Sequence, residues 1–558
     1  MANANATIPA SDSKQEPANI GGMLEKTPRD EVITDQNRKS PLEGSKSQDN
    51  EVQGVRLVLI HTAICLCNFL VGLDLNLIAT AIPVITSEFN SINDVGWYGA
   101  TFQLALCTTQ PLTGKTFVLF SKKSAYLLYV AIFEIGSLVC ALAPSSKALI
   151  VGRAVAGIGA SGIFAGGFAI LTTIIPLHKR AIWNGILSAT FAMASIVGPP
   201  LGGALTQQVT WRWCFYINLP IGGFAAALFL VLVRIKPTQG EQQTLSNKLK
   251  NLDFLGFVLF AGSLTMLLLA VQWGGNDYAW SSSTVVGLFV GFAVVMALFI
   301  FYQLRLQDGA LIPPRIFTAH RNAWLICLSS FFVNGPFQLV IYWLPIWFQT
   351  VLGVSPTQSG VDYLPTVISH VLASFIGSAI VLRLGYWNPF LLFSECAVSI
   401  GGGLLSTLHP NVNAGRWIGF QIFGGIGYAL ATNQAHLGMQ ASLPQSIVPL
   451  GASTLLLVIS TSCAIFLAVG QAVFEAALRS NLAPILSPDV VNVVISVGAT
   501  DVRSVVDASD VPAVISAYSK AIAQVFYIPA GAPVLSFILV ACCSWTSTKK
   551  RPAKDEKA

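Results

Sequence analysis

Charge is what this chain has least of. Only 10% of its 558 residues are Asp, Glu, Lys or Arg, against about 25% in a typical soluble domain. So few polar side chains cannot cover a surface that faces water, and with 53% hydrophobic residues most of the chain has lipid as its solvent. The means of hydrolysing a nucleotide are also missing. Gly114-Lys115-Thr116 ends like a phosphate loop, but Thr109 stands where the first glycine belongs and no strand precedes it. Six histidines, including His370 and His436 inside apolar runs, show no paired metal-ligand spacing, and Ser161 lies in a run of small residues suited to helix packing. No catalytic centre, metal site or cofactor is expected. The ten cysteines all fall in apolar runs and read as small buried hydrophobes rather than disulfide partners. A net charge of +6 fits the inner loops of a membrane protein better than a nucleic-acid partner.

Apolar length is what the chain has in abundance. Residues 1–54 are polar and read as a disordered cytosolic tail without a secretory leader. From Val55 onward about fourteen apolar runs follow, each able to cross roughly 30 Å of hydrocarbon. They divide into an amino-terminal six-helix bundle (55–234), loops and an inserted helix pair (235–321), and a carboxy-terminal six-helix bundle (322–547) ahead of a cytosolic tail (548–558). The expected fold is an all-α polytopic membrane protein. Lys and Arg gather in the loops on one side, which places both termini in the cytosol. The opposite loops carry Trp97, Trp211, Trp213, Tyr278 and Trp280 at the expected headgroup level, and one of them is long, 476–523, with a helix start at Ser487-Pro488-Asp489 and a stop at Gly498.

Four ionisable residues stand where lipid disfavours them: Asp74, Glu134, Arg153 and Glu395. Each costs about 2.5–3.5 kcal/mol at a helix centre, so each should face a cavity or a partner. At 1.5 Å per residue Asp74 lies about 16 Å from the outer end of its helix and Arg153 about 7 Å from the outer end of its own. Those depths allow a link through long side chains or a water. Two readings fit them: a site that couples transport to protons, and an ion pair that only holds helices together.

Leu73 to Pro83, followed by Asp94 to Gly99, resembles the first-helix signature of the fourteen-helix drug:proton antiporters of the major facilitator superfamily. Gly114 to Lys123 is similar to the superfamily's cytoplasmic 2–3 loop, keeping Gly114, Lys122 and Lys123 but with Val118 for an acid and Ser121 for a glycine. Gly152 to Gly159 resembles the proton-transfer motif, with Arg153 in its arginine place and Ala156 for the usual glutamine. Gly198-Pro199-Pro200-Leu201-Gly202-Gly203 looks like the end of the antiporter motif. A proline-bent helix used only for packing would carry the same residues. Trp211 to Pro220 looks like a marker of the fourteen-helix branch, and Leu269 to Gly275 with Tyr342 to Gln349 resembles fungal exporters of secondary metabolites.

The resemblance implies two six-helix bundles around a central cavity, proton coupling through Asp74, Arg153 and Glu134, an antiporter helix with Gly198, Pro199, Gly202 and Gly203, and a gating loop with Gly114, Lys122 and Lys123. The proton gradient, not a cofactor, would supply the energy. Aromatic and amide side chains in the later helices, Phe337, Tyr342, Gln421, Asn433 and Gln434, suit a cavity for an amphipathic organic molecule. The expected protein is a monomeric efflux pump of the plasma membrane for a mycotoxin, secondary metabolite or drug. A vacuolar or plasma-membrane carrier of amino acids or siderophores on the same fold is the alternative, and a transport-inactive membrane sensor is a third reading.

Overall fold

A computed structural model describes residues 54–89, 94–234, 244–275, 278–488, 490–491, 494 and 506–549. Both predicted tails, apart from Gly54 and Thr548–Lys549, lie outside the described residues. Among those residues the regular structure is helical, apart from the isolated bridges Gly274–Tyr278 and Tyr386–Ser547.

The amino-terminal half comprises α1 (Val55–Phe89), α2 (Val95–Leu119), α3 (Lys122–Ala141), α4 (Ser146–Ile174), α5 (Arg180–Gln208) and α6 (Asn218–Leu232), the last preceded by a single turn at Trp213–Tyr216. A helix pair follows, α7 (Phe254–Trp273) and α8 (Ser283–Leu306). The remainder is α9 (Arg321–Trp347), α10 (Leu364–Leu384), α11 (Asn388–Leu405), α12 (Ala414–Ser442), α13 (Val448–Leu482), α14 (Val511–Val525) and α15 (Tyr527–Ala541). Among the described residues, twelve helical segments are long and apolar enough to cross a membrane, with α14 and α15 forming one of them. The long helices α2 and α12 are not in that set because of polar residues in their interiors. In α2 these are Thr108, Thr109, Gln110, Thr113 and Lys115; in α12, Gln421, Asn433, Gln434, His436 and Gln440, and all ten are buried in the protein. Hydrocarbon favours such side chains only where protein covers them.

Small residues set the closest helix contacts. A Cβ on Gly136 or Gly159 would meet the backbone of the facing helix at Ala156 or Phe133, so α3 and α4 touch main chain to main chain. Lipid supplies no hydrophobic drive between helices, and this proximity provides the van der Waals contact that does. One apolar core joins α9 to α15, and a second joins α1 to α6 with Phe260, Leu264 and Phe299 of the inserted pair. At the end of the molecule that carries Lys115, Lys122 and Arg180, hereafter the basic end, the halves meet. Phe168 of α4 stacks on His436 of α12 at 4.0 Å, Gln445 donates to Thr172 O at 2.9 Å, and Gly185 of α5 lies against Ser374 and Ser378 of α10.

Several boundaries differ from the sequence expectation. Helix α13 runs on to Leu482 and α14 begins at Val511, so the long 476–523 connection is shorter than predicted. The residues of α14 form an apolar stripe, Val514, Tyr518, Ala521 and Val525, that buries against the carboxy-terminal core and holds the chain helical. Pro488 is helical as expected, but Asp489 and Gly498 lie outside the described residues. The final helix ends at Ala541, not 547, because the chain then turns back over α10: Thr548 N donates to Gly385 O at 2.8 Å, and Ser544 N donates to Asn322 Oδ1 at 2.8 Å. Trp211 is buried rather than placed at a headgroup surface. Its indole Nε1 donates to Glu88 Oε2 at 2.6 Å, and Arg212 holds the other carboxylate oxygen at 2.8 Å. Cys396 and Cys542 are exposed, against the expectation for all ten cysteines; Cys396 shares a helix face with exposed Phe393 and Ile400.

Candidate functional site

Five helices bring together a buried polar cluster in the amino-terminal half. Arg153 of α4 is fully buried, and its Nη1 forms a direct ion pair with Asp74 Oδ2 of α1. Helix depths allowed a link through long side chains or a water, and the link is a direct bond between the two side chains. Arg153 Nε donates to Tyr98 O of α2 at 2.8 Å, and the guanidinium lies 4.5 Å from the centre of the Phe102 ring. The remaining Asp74 oxygen accepts from Asn218 Nδ2 of α6 at 3.4 Å, and the same amide donates to Ser137 Oγ of α3 at 3.1 Å. Charges this far from water persist only when paired and hydrogen-bonded. Asn218, Ser137, Tyr98 and Phe102 were missed from sequence. Asn218 sits inside the Trp211 to Pro220 stretch, which marked a branch without assigning it a task.

Glu134 lies one turn from Ser137 on α3, and Gly222 lies one turn from Asn218 on α6. The Glu134 carboxyl fills the space a side chain on Gly222 would occupy, and neither of its oxygens has a hydrogen-bond partner among the described residues. Glu134 therefore lies beside the Asp74–Arg153 cluster, one turn from Ser137 and against Gly222, one turn from Asn218, without bonding to either. Glu395 is elsewhere, fully buried on α11 beside Ser536 of α15.

The antiporter-like residues divide. Gly198 lies against Asn76 of α1, and one turn earlier Ala194 meets Gly72, so α1 and α5 approach closely beside the Asp74 turn. Gly202 is buried, Gly203 has no neighbour close enough to need a glycine, and the Pro199 side chain lies outside the described residues. In the 2–3 loop Lys122 donates to Thr173 Oγ1 at 2.7 Å and Lys123 to Leu230 O at 2.6 Å, tying α3 to α4 and α6. Gly114 packs on Ser453 and Leu450 of α13 in the other half.

The proposed cavity residues do not form one wall. Gln421 spends its amide on α10 and the turn before it, accepting from Thr366 Oγ1 at 2.8 Å and donating to Asp362 O at 3.0 Å. Phe337 is buried in a stack with Tyr428 at 4.1 Å, whereas Tyr342 is 46% exposed with its ring edge against Trp343. Asn433 and Gln434 keep unpartnered amide atoms in the interior, as do Gln110 of α2 and Asn184 of α5. Buried amides without partners are exceptional in folded proteins, so these four and Gln440 of α12, whose amide atoms also lack partners among the described residues, are suited to water or a ligand. An apolar groove of about 690 Å³ opens between α10, α11 and α12, but it contains Ser369 as its one polar side chain and lies in the other half from Asp74 and Arg153.

The profile of the Major Facilitator Superfamily matches residues 64–470. The efflux pump roqT of Penicillium rubens is 40% identical over 92% of this chain and 95% of its own. The efflux pump aflT of Aspergillus parasiticus is 38% identical over 90% and 98%, and mlcE of Penicillium citrinum 38% over 92% and 94%. Among solved structures, the human organic anion transporter MFSD10 superposes with a TM-score of 0.58 at 13% identity, covering 88% of this chain and 100% of that one. The proton:xylose symporter XylE gives 0.58 at 13%, covering 89% and 98%. With a profile match across most of the chain and a relative 40% identical over 92% of it, this protein belongs to the major facilitator superfamily.

Proposed function

We propose that this multi-pass membrane transporter, which is not an enzyme, exports a small amphipathic organic compound in exchange for protons. The relatives named as efflux pumps support the direction of transport. The observation that carries the coupling is the buried Asp74–Arg153 pair with Glu134 behind it. A carboxylate buried without a donor or cation is costly to keep charged. Glu134 is therefore suited to carry a proton while enclosed and to give it up where water reaches it. Ser137 and Asn218 connect that event to Asp74, whose bond to Arg153 joins α1 to α4. Movement of α1 against α4 then changes which end of the molecule is open. No cofactor enters this scheme; the protein works as a monomer, with protons and the exported compound as its partners, and the plasma membrane is its site of action.

Export from a drug-sensitive host, followed with a panel of labelled amphipathic compounds, tests this reading. A protonophore should abolish export while ATP is still present, and Glu134→Gln should flatten its pH dependence. Export that persists after collapse of the proton gradient would sink the coupling. Transport restricted to amino acids or siderophores would replace the substrate class and leave the coupling standing.

A further inference from the structure

At the basic end, the inserted pair α7–α8 is fastened to the rest of the protein through one loop. Asp253, immediately before α7, has left-handed backbone angles (φ 55°, ψ 59°), which aspartate tolerates better than most residues because its side chain bonds locally. Its Oδ1 accepts from Gly256 N at 2.9 Å; its Oδ2 accepts from Gln303 Nε2 at 2.9 Å and from Leu311 N at 2.8 Å. Gln303 Oε1 in turn accepts from Ile312 N at 3.2 Å. One carboxylate thus fastens the start of α7, the end of α8 and the 307–312 loop into a single unit.

Lys115 of α2 reaches into that unit from the amino-terminal half. Its Nζ donates to Gly309 O and, at 2.9 Å, to Ala310 O. The next residue in the loop, Leu311, is buried in the core that holds Phe260 and Leu264 of α7 together with Ala452 and Leu457 of α13. The residue before Lys115 is Gly114, the one that packs on α13. Two consecutive residues of α2 therefore hold different structures: Gly114 the carboxy-terminal half, Lys115 the inserted pair. Helix α7 also packs on both α2 and α13, so the pair spans the seam that must part if the basic end opens.

We propose that α7–α8 is a working brace of the basic-end gate, with Lys115 and Asp253 as positioning residues that hold it across the α2–α13 seam and favour the closed arrangement. A passive insertion would need neither two acceptors for Lys115 on the loop nor a shared core with α13. The proposal rests on the transporter reading but not on proton coupling, and its test uses neither substrate nor gradient. In the full-length protein, Ser378→Cys on α10 places a thiol in the α5–α10 part of the seam, at a position remote in sequence from the brace where the serine is 1% exposed in the closed arrangement. Its reaction with a charged methanethiosulfonate is followed in inside-out vesicles, with the parent chain as control for exposed Cys396 and Cys542.

Lys115→Met and Asp253→Asn, each combined with Ser378→Cys, should raise the labelling rate of the introduced thiol at least about tenfold, the equilibrium shift expected from losing one or more hydrogen bonds to a charged group. Lys115→Arg, which keeps charge and donors, should restore the parent rate. If Lys115→Met does not reach the membrane, Gln303→Leu, which leaves Asp253 its two backbone donors, carries the same expectation at smaller size. Labelling at the parent rate in variants present at normal levels would overturn the brace. Faster labelling with proton-independent export would keep it and remove the coupling scheme instead.

Discussion

Arg153 and Asp74 are where a structural and a functional role can be separated at the level of single residues. Removing one member of a buried ion pair leaves the other charge without compensation and costs about 3–5 kcal/mol. Arg153→Ala should therefore lower the melting temperature in detergent as well as stop export. In Asp74→Asn with Arg153→Met no buried charge is left alone, so stability should recover by most of that amount. Export should not recover. Recovery of both would make the pair a structural clasp alone. Glu134 depends on its neighbour in the same way: Gly222→Ala puts a methyl where the carboxyl lies, and overpacking of this kind costs about 1–3 kcal/mol. Export activity measured per molecule in the membrane should fall in that variant.

At the scale of elements, α3 and α4 depend on glycine more strictly than any other pair described above. Gly136, Gly152 and Gly159 each bring one helix against the other's backbone or Cys140. Gly159→Val would drive a branched side chain into the Phe133 main chain, which cannot retreat without separating the helices. The amount of protein reaching the membrane should drop sharply, whereas Gly203→Ala, with open space at that position, should accumulate normally. Fluorescence of a carboxy-terminal tag in isolated membranes distinguishes these outcomes. The contrast also shows how a motif can mislead. Gly198 and Gly203 look alike in sequence, but only a facing helix makes a glycine necessary, and Asn76 faces Gly198 alone.

For the whole molecule, the placement of Lys and Arg predicts that the basic end is cytosolic. Cysteines introduced at Lys248 and at Tyr278, both in described surface segments at opposite ends, should label from opposite sides of the membrane. Labelling of the Lys248 site in intact cells would invert the topology and the direction of the proposed gate.

The sequence by itself determined that this is an all-helical membrane protein, because scarce charge and repeated apolar runs leave no other solvent and no other backbone arrangement. It also singled out Asp74, Arg153 and Glu134, since an ionisable group in an apolar run stands out without any knowledge of its neighbours. Only the tertiary structure decided which of these meet. Helix depth is linear in sequence, but the direction a side chain takes around its helix and the helix it then faces depend on packing among segments far apart in the chain. That is why Asn218 and Ser137 went unrecognised, why Gln421 proved to be bound to α10, and why Lys115 was passed over although it lies within the gating loop. Each of these polar groups acquires its role from a partner between 55 and 195 residues away, and hydropathy cannot specify a partner.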